Sequence, residues 1–100
     1  MNIDVQELML YLIEHDLHEQ LDILLSNRNV DVDVNAKTDS GWTPLHIAVA
    51  NDYHECVKML LDNGADVNAR NNVGRTPLDI AAYHGRPQCV EILLNNGADC

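Results

Sequence analysis

The chain has 100 residues and a net charge of −10, from 16 acidic and 6 basic side chains, so nucleic acid and anionic membrane surfaces would be repelled. It is 46% apolar but has no Phe, one Trp and three Tyr, a supply of Leu, Ile, Val and Ala suited to thin layers between helices. No run of about 18 apolar residues offers a membrane span, and Met1-Asn2-Ile3-Asp4 lacks a basic n-region, so an intracellular, cytoplasmic protein is expected.

Residues 1–37 read as a divergent first unit that caps the rest. Asp4-Val5-Gln6-Glu7 predicts a capping-box start, with Asp4 as the cap and Glu7 reaching back. Val5, Leu8, Met9, Leu12 and Ile13 follow at helical spacing and make one apolar face. A second helix is predicted from about His18 through Leu21, Leu24 and Leu25. Three extra residues, relative to the later units, lie within residues 26–32.

Residues 38–70 form the best-defined unit. A turn at Asp39-Ser40-Gly41 leads to Thr43, whose hydroxyl suits a helix cap, and to Pro44 at the first helical position, where a missing N–H costs nothing. That helix should run to about Asn51. Asp52 stands where the backbone reverses, because Asp tolerates the left-handed conformation. A second helix, about His54 to Asp62, buries Cys56, Val57, Leu60 and Leu61 and stops at Asn63-Gly64, with Gly64 as the C-terminal cap.

Residues 71–100 say the same again. Pro77 follows Pro44 by 33 residues, Cys89 follows Cys56 by 33, and Gly97-Ala98-Asp99 follows Gly64-Ala65-Asp66 by 33. A period held across a whole unit marks a solenoid in which each repeat packs on its neighbours. Here the turn is Asn72-Val73-Gly74, the helices are about Pro77–His84 and from Pro87 onward, and Gly85 makes the reversal. Leu78, Ile80, Val90, Ile92 and Leu93 cannot all face inward. Either the final helices make an interface, with self-association through this repeat as one form, or a longer chain covers them.

An odd number of cysteines argues against a disulfide framework. Cys56 and Cys89 occupy equivalent places in helices that stack about 8–10 Å apart, beyond the roughly 7 Å a disulfide spans. They read as small buried side chains. Cys100 stands where the period puts Val67.

The motifs Thr43-Pro44-Leu45-His46-Ile47-Ala48, Val57 to Leu61 and Gly64-Ala65-Asp66-Val67-Asn68-Ala69, with Thr76-Pro77-Leu78-Asp79-Ile80-Ala81 in the next unit, resemble the ankyrin repeat. The resemblance implies an all-α solenoid of three stacked turn–helix–helix units. It further implies that another protein is bound by the turn tips and the exposed side of each first helix. Carried over by position, that surface is Asp39, Ser40, Trp42, Ala50 and Asn51 in the second unit. In the third it is Asn72, Val73, Arg75, Tyr83 and His84, and the first unit adds Glu14 and His15. His46 resembles a motif histidine that hydrogen-bonds in the turn region, a bond that must change where Asp79 replaces it. Asn68 lies in a spacing that resembles hydroxylated ankyrin asparagines, beside the plainer reading that it ties the hairpin together.

Trp42, the one Trp, has no part in starting the helix and is the expected anchor of the contact, flanked by Tyr83 and Arg75. The five histidines show no His-x-x-x-His and the cysteines no Cys-x-x-Cys, so no metal site is predicted. Neither a phosphate-cradling loop nor a nucleophile with a partner base is evident, and no enzyme activity or cofactor is expected. Two alternatives stand beside a general binding module. One is an acidic inhibitor or immunity-type protein that blocks a basic partner; the other is a scaffold or oligomerisation segment of a longer protein.

Overall fold

Six helices in three antiparallel pairs make up the computed structural model, which describes residues 4–99. The expectations attached to Met1-Asn2-Ile3 and to Cys100 fall outside those residues. The pairs are α1 (Val5–Glu14) with α2 (His18–Ser26), α3 (Pro44–Ala50) with α4 (His54–Asp62), and α5 (Pro77–Tyr83) with α6 (Pro87–Asn95). First helices pack on first helices and second on second, α1 on α3 on α5 and α2 on α4 on α6. The body is elongated, 42 × 26 × 21 Å. No strand occurs among the described residues, and no helix there is long and apolar enough to cross a membrane.

The helix starts follow from their side chains. The Thr43 hydroxyl accepts the His46 amide, and the His46 ring returns a bond to the Thr43 amide. Thr76 and Asp79 close the same reciprocal box on α5. Five of the six helices end alike, with a residue at positive φ followed by one whose amide turns back into the last turn. Those positive-φ positions are Asp16, Asp52, Gly64, Gly85 and Gly97. Each amide satisfies one otherwise orphaned carbonyl: Tyr53 donates to the Ala48 carbonyl at 3.0 Å and Arg86 to the Ala81 carbonyl at 2.8 Å. The exception is α2. The three-residue insertion begins there, and the Asn27 side chain accepts the Asn29 amide to close its own turn.

The core is one continuous layer running through the stack. Met9, Ile13, Leu21, Leu45, Val49, Val57, Leu60, Ile80 and Leu93 are fully or almost fully buried. Cys56 and Cys89 are buried free thiols within it. The helices of the last unit hide more than their composition suggests: Ile80 and Leu93 are buried and Leu78, Val90 and Ile92 half-buried, which leaves Leu94 as the exposed large aliphatic of α5 and α6.

Between units, hydrogen bonds recur in register. Asn35 Oδ1 accepts the Asp66 amide at 2.7 Å while Asn35 Nδ2 donates to the Gly64 carbonyl, and Asn68 Oδ1 accepts the Asp99 amide at 3.0 Å. Asn68 therefore ties one hairpin to the next. The first link in this series is made differently. Asp4 caps the Gln6 amide, and it is Gln6, rather than Glu7, that reaches out, accepting the Asp33 amide and donating to the Asp33 carbonyl. A side chain from α1 thus does for Asp33 what Asn35 does for Asp66. Replacing Gln6 by Ala should lower stability by about 1 kcal/mol and speed amide exchange at Asp33, both measurable by hydrogen exchange.

Candidate functional site

Two short turns project from the stack, at residues 38–42 and 71–75. The Thr38 amide donates to the Trp42 carbonyl and the Asn71 amide to the Arg75 carbonyl, closing each base. Asn71 is buried, and its Oδ1 accepts the amides of Val73 and Arg75. The two turns are fastened together. The Asn72 amide donates to the Ser40 carbonyl at 3.1 Å and Asn72 Nδ2 to the Asp39 carbonyl at 2.8 Å. Gly41, at φ +79, lies under this junction, where a Cβ would meet the Asn72 backbone nitrogen at 2.7 Å.

His46 joins the turns to the helices. It is fully buried, its Nδ1 accepts from Thr43, and its Nε2–H donates to the Arg75 carbonyl at 2.9 Å. These partners fix the neutral Nε2–H tautomer. Burial pushes the imidazole below its ordinary 6.5, partly opposed by the bond to the Arg75 carbonyl. Asp79 completes the capping box of its own helix through Oδ2, but a carboxylate has no N–H to donate to the carbonyl of a following turn. The change of bond expected at that position is of this kind.

The surface read from the sequence divides in two. Asn72 spends its side chain on the finger junction, Asn51 folds back on the Ile47 carbonyl, and the Ala50 carbonyl accepts the Arg86 guanidinium. Trp42 is half-buried, its ring 5.7 Å from that of His46 and packed against the core. It is therefore partly structural, in contrast to the freedom its sequence position suggests. The third unit is more open: Val73 is 76% and Tyr83 74% exposed, and the Arg75 guanidinium lies 5.4 Å over the Tyr83 ring. His84 meets the same ring edge-on at 5.1 Å. Asp39 and Ser40 are exposed at the other turn, as are Glu14 and His15 at the end of α1.

Sequence reasoning passed over two groups. Tyr11 is 54% exposed and pairs with the His15 ring at 4.3 Å, a contact that the four-residue spacing along α1 permits. Asp52, His54 and Cys89 also converge, their ligand-type atoms all within 4.8 Å of one another. Spacing within a single helix does not reveal that group, since its members come from two units. The Cys89 thiol donates to Asp52 Oδ1 at 3.6 Å, and Cys56 donates to Asp16 in the same manner at 3.7 Å. Burial, with the neighbouring carboxylate, pushes both thiols up to about 12, so neither is a nucleophile at neutral pH.

Comparison with known proteins fits this geometry. A family model described as ankyrin repeats, in three copies, matches residues 6–100. A protein described as a probable E3 ubiquitin-protein ligase, XBOS32 of Oryza sativa subsp. japonica, is 59% identical over 32 residues, which is 32% of this chain and 6% of that protein. The similarity thus spans a small part of that relative's length, about one repeat. With the 33-residue period, the paired helices, the Thr-Pro capping boxes and a family match across nearly the whole chain, this protein belongs to the ankyrin-repeat family.

Proposed function

We propose that the chain is a non-enzymatic module that binds another protein through its turn tips and the exposed side of its first helices. Ankyrin repeats are in general protein–protein interaction modules. The observation that carries the finer reading is the third-unit patch of Val73, Arg75, Tyr83 and His84. It combines exposed apolar surface with a cation stacked on an aromatic ring, a composition favoured at interface hot spots. Trp42 contributes the exposed part of its ring, and Asp39 and Ser40 the neighbouring rim. The two buried free thiols suit a reducing, intracellular setting. The rice relative supports a shared scaffold, since its match covers one repeat and none of the rest of that protein.

Capture of partners by the immobilised chain tests this reading. Tyr83→Ala is expected to weaken retention about tenfold or more, and Trp42→Ala less, because part of that ring is spent on His46. Equal retention by both variants and wild type would remove the patch from consideration. The net charge of −10 favours a second reading, an acidic blocker of a basic partner. In that case affinity should fall steeply with added salt and be largely indifferent to Tyr83→Ala. A scaffold that self-associates through its last repeat would instead show concentration-dependent mass by light scattering.

A further inference from the structure

We propose that Asp52, His54 and Cys89 form a binding site for a divalent metal ion of the zinc class. The three offer one oxygen, one nitrogen and one sulfur, the donor set such borderline ions accept. Zinc–ligand bonds of about 2.0–2.3 Å place the ligand atoms of a tetrahedron roughly 3.3–3.7 Å apart. Cys89 Sγ and Asp52 Oδ1 stand at 3.6 Å already, while His54 Nε2 and Asp52 Oδ1, at 2.7 Å, share a proton that a metal would replace. Small side-chain movements therefore suffice. His54 also borders an open groove with Lys58, Gln88, Glu91 and Ile92, and with three protein ligands a water would complete the tetrahedron.

The positions that build the cluster are fixed by the fold. Asp52 occupies the positive-φ reversal between α3 and α4, where the next unit has Gly85, and His54 opens α4. Cys89 comes from α6 of the following unit and is fully buried. The same three residue types recur one unit earlier. Asp16 Oδ1 lies 3.7 Å from both Cys56 Sγ and His18 Nδ1, and that buried nitrogen has no hydrogen-bond partner. Only in the Asp52 group, among the described residues, do all three ligand atoms lie within 4.8 Å of one another, and that mutual approach sets it apart from its sister. On binding, Cys89 releases its thiol proton to solvent and the sulfur donates a lone pair to the metal. The proton between His54 Nε2 and Asp52 Oδ1 passes through solvent to His54 Nδ1, which frees Nε2 and the carboxylate to displace waters of the ion. The carboxylate that disfavours a bare thiolate favours the cation that creates one. The ion would then clamp two adjacent repeats together.

Cobalt(II) titration of the reduced 100-residue chain, in a Cys100→Ser background, provides the test through the near-ultraviolet thiolate-to-cobalt charge-transfer band. The expected result is a band that saturates at one equivalent, is displaced by zinc, persists in Cys56→Ser and disappears in Cys89→Ser. His54→Ala, a half-exposed position that folding should tolerate, is expected to weaken binding by more than about a hundredfold, since even outer-shell losses cost 10–100-fold. Absence of the band in the parent chain overturns the site, as does a band unchanged by His54→Ala or Cys89→Ser. Dependence of the band on Cys56 alone would assign it elsewhere and overturn the proposal equally.

Discussion

Replacing His46 with Ala is expected to destabilise the chain by about 3 kcal/mol and to lower Tm by about 15 °C, as measured by thermal denaturation. The imidazole is fully buried, so its removal leaves a cavity. It also leaves the Thr43 amide without its ring acceptor and takes from the Arg75 carbonyl one of two donors, the Asn71 amide being the other. A buried amide stranded away from water costs about 1–3 kcal/mol. His46→Gln is expected to recover part of the loss, because an amide both accepts and donates. A tilt in pH accompanies the same residue. The native state holds the ring below its ordinary 6.5, so the unfolded chain takes a proton that the folded chain refuses. The neutral ring's contribution is complete above pH 6.5 and diminishes as pH falls through 6.5 toward the lowered native value. Denaturant titrations across that window should show a steeper loss for wild type than for His46→Gln. Parallel curves would mean that the ring is not held neutral.

Gly41→Ala is expected to cost about 3 kcal/mol, against about 1 kcal/mol for Gly74→Ala. Both glycines adopt positive φ at equivalent positions in their turns, +79° and +81°. They differ in surroundings. A methyl group at Gly74 meets open space, whereas one at Gly41 meets the backbone and side chain of Asn72 from the next turn. The comparison separates backbone conformation from close approach. Equal losses in paired urea denaturations would show that the turns are not held as tightly together as the Asn72 bonds indicate.

Much of the scaffold is legible in the amino-acid sequence. Thr43-Pro44, Thr76-Pro77, Gly64 and Gly85 act on their own few neighbours, so they place helix ends to within a residue or so. Of the residues assigned to the third unit's surface, Arg75, Tyr83 and His84 do lie together, and Val73 is exposed. What escapes depends on a neighbouring repeat. The reach of His46 to Arg75, the crowding of Gly41 by Asn72 and the bonding of Gln6 to Asp33 each join residues 27–31 positions apart. A repeat period brings such positions near each other without saying which atoms meet. Trp42 shows the same limit: its place in the motif marks it as a contact residue, while its half-burial against His46 follows from packing.

The bonds that stitch the units together mostly end on main-chain atoms. Lys37 donates to the Arg70 carbonyl, His46 to that of Arg75, Asn72 to that of Asp39 and Arg86 to that of Ala50. Such a joint is blind to the side chain of its recipient. Arg75 holds the stack through its carbonyl while its guanidinium lies outside over Tyr83. The lettering at such positions can therefore be rewritten without unpicking the seams, and a lineage of these arrays is free to exchange one partner for another while keeping its frame.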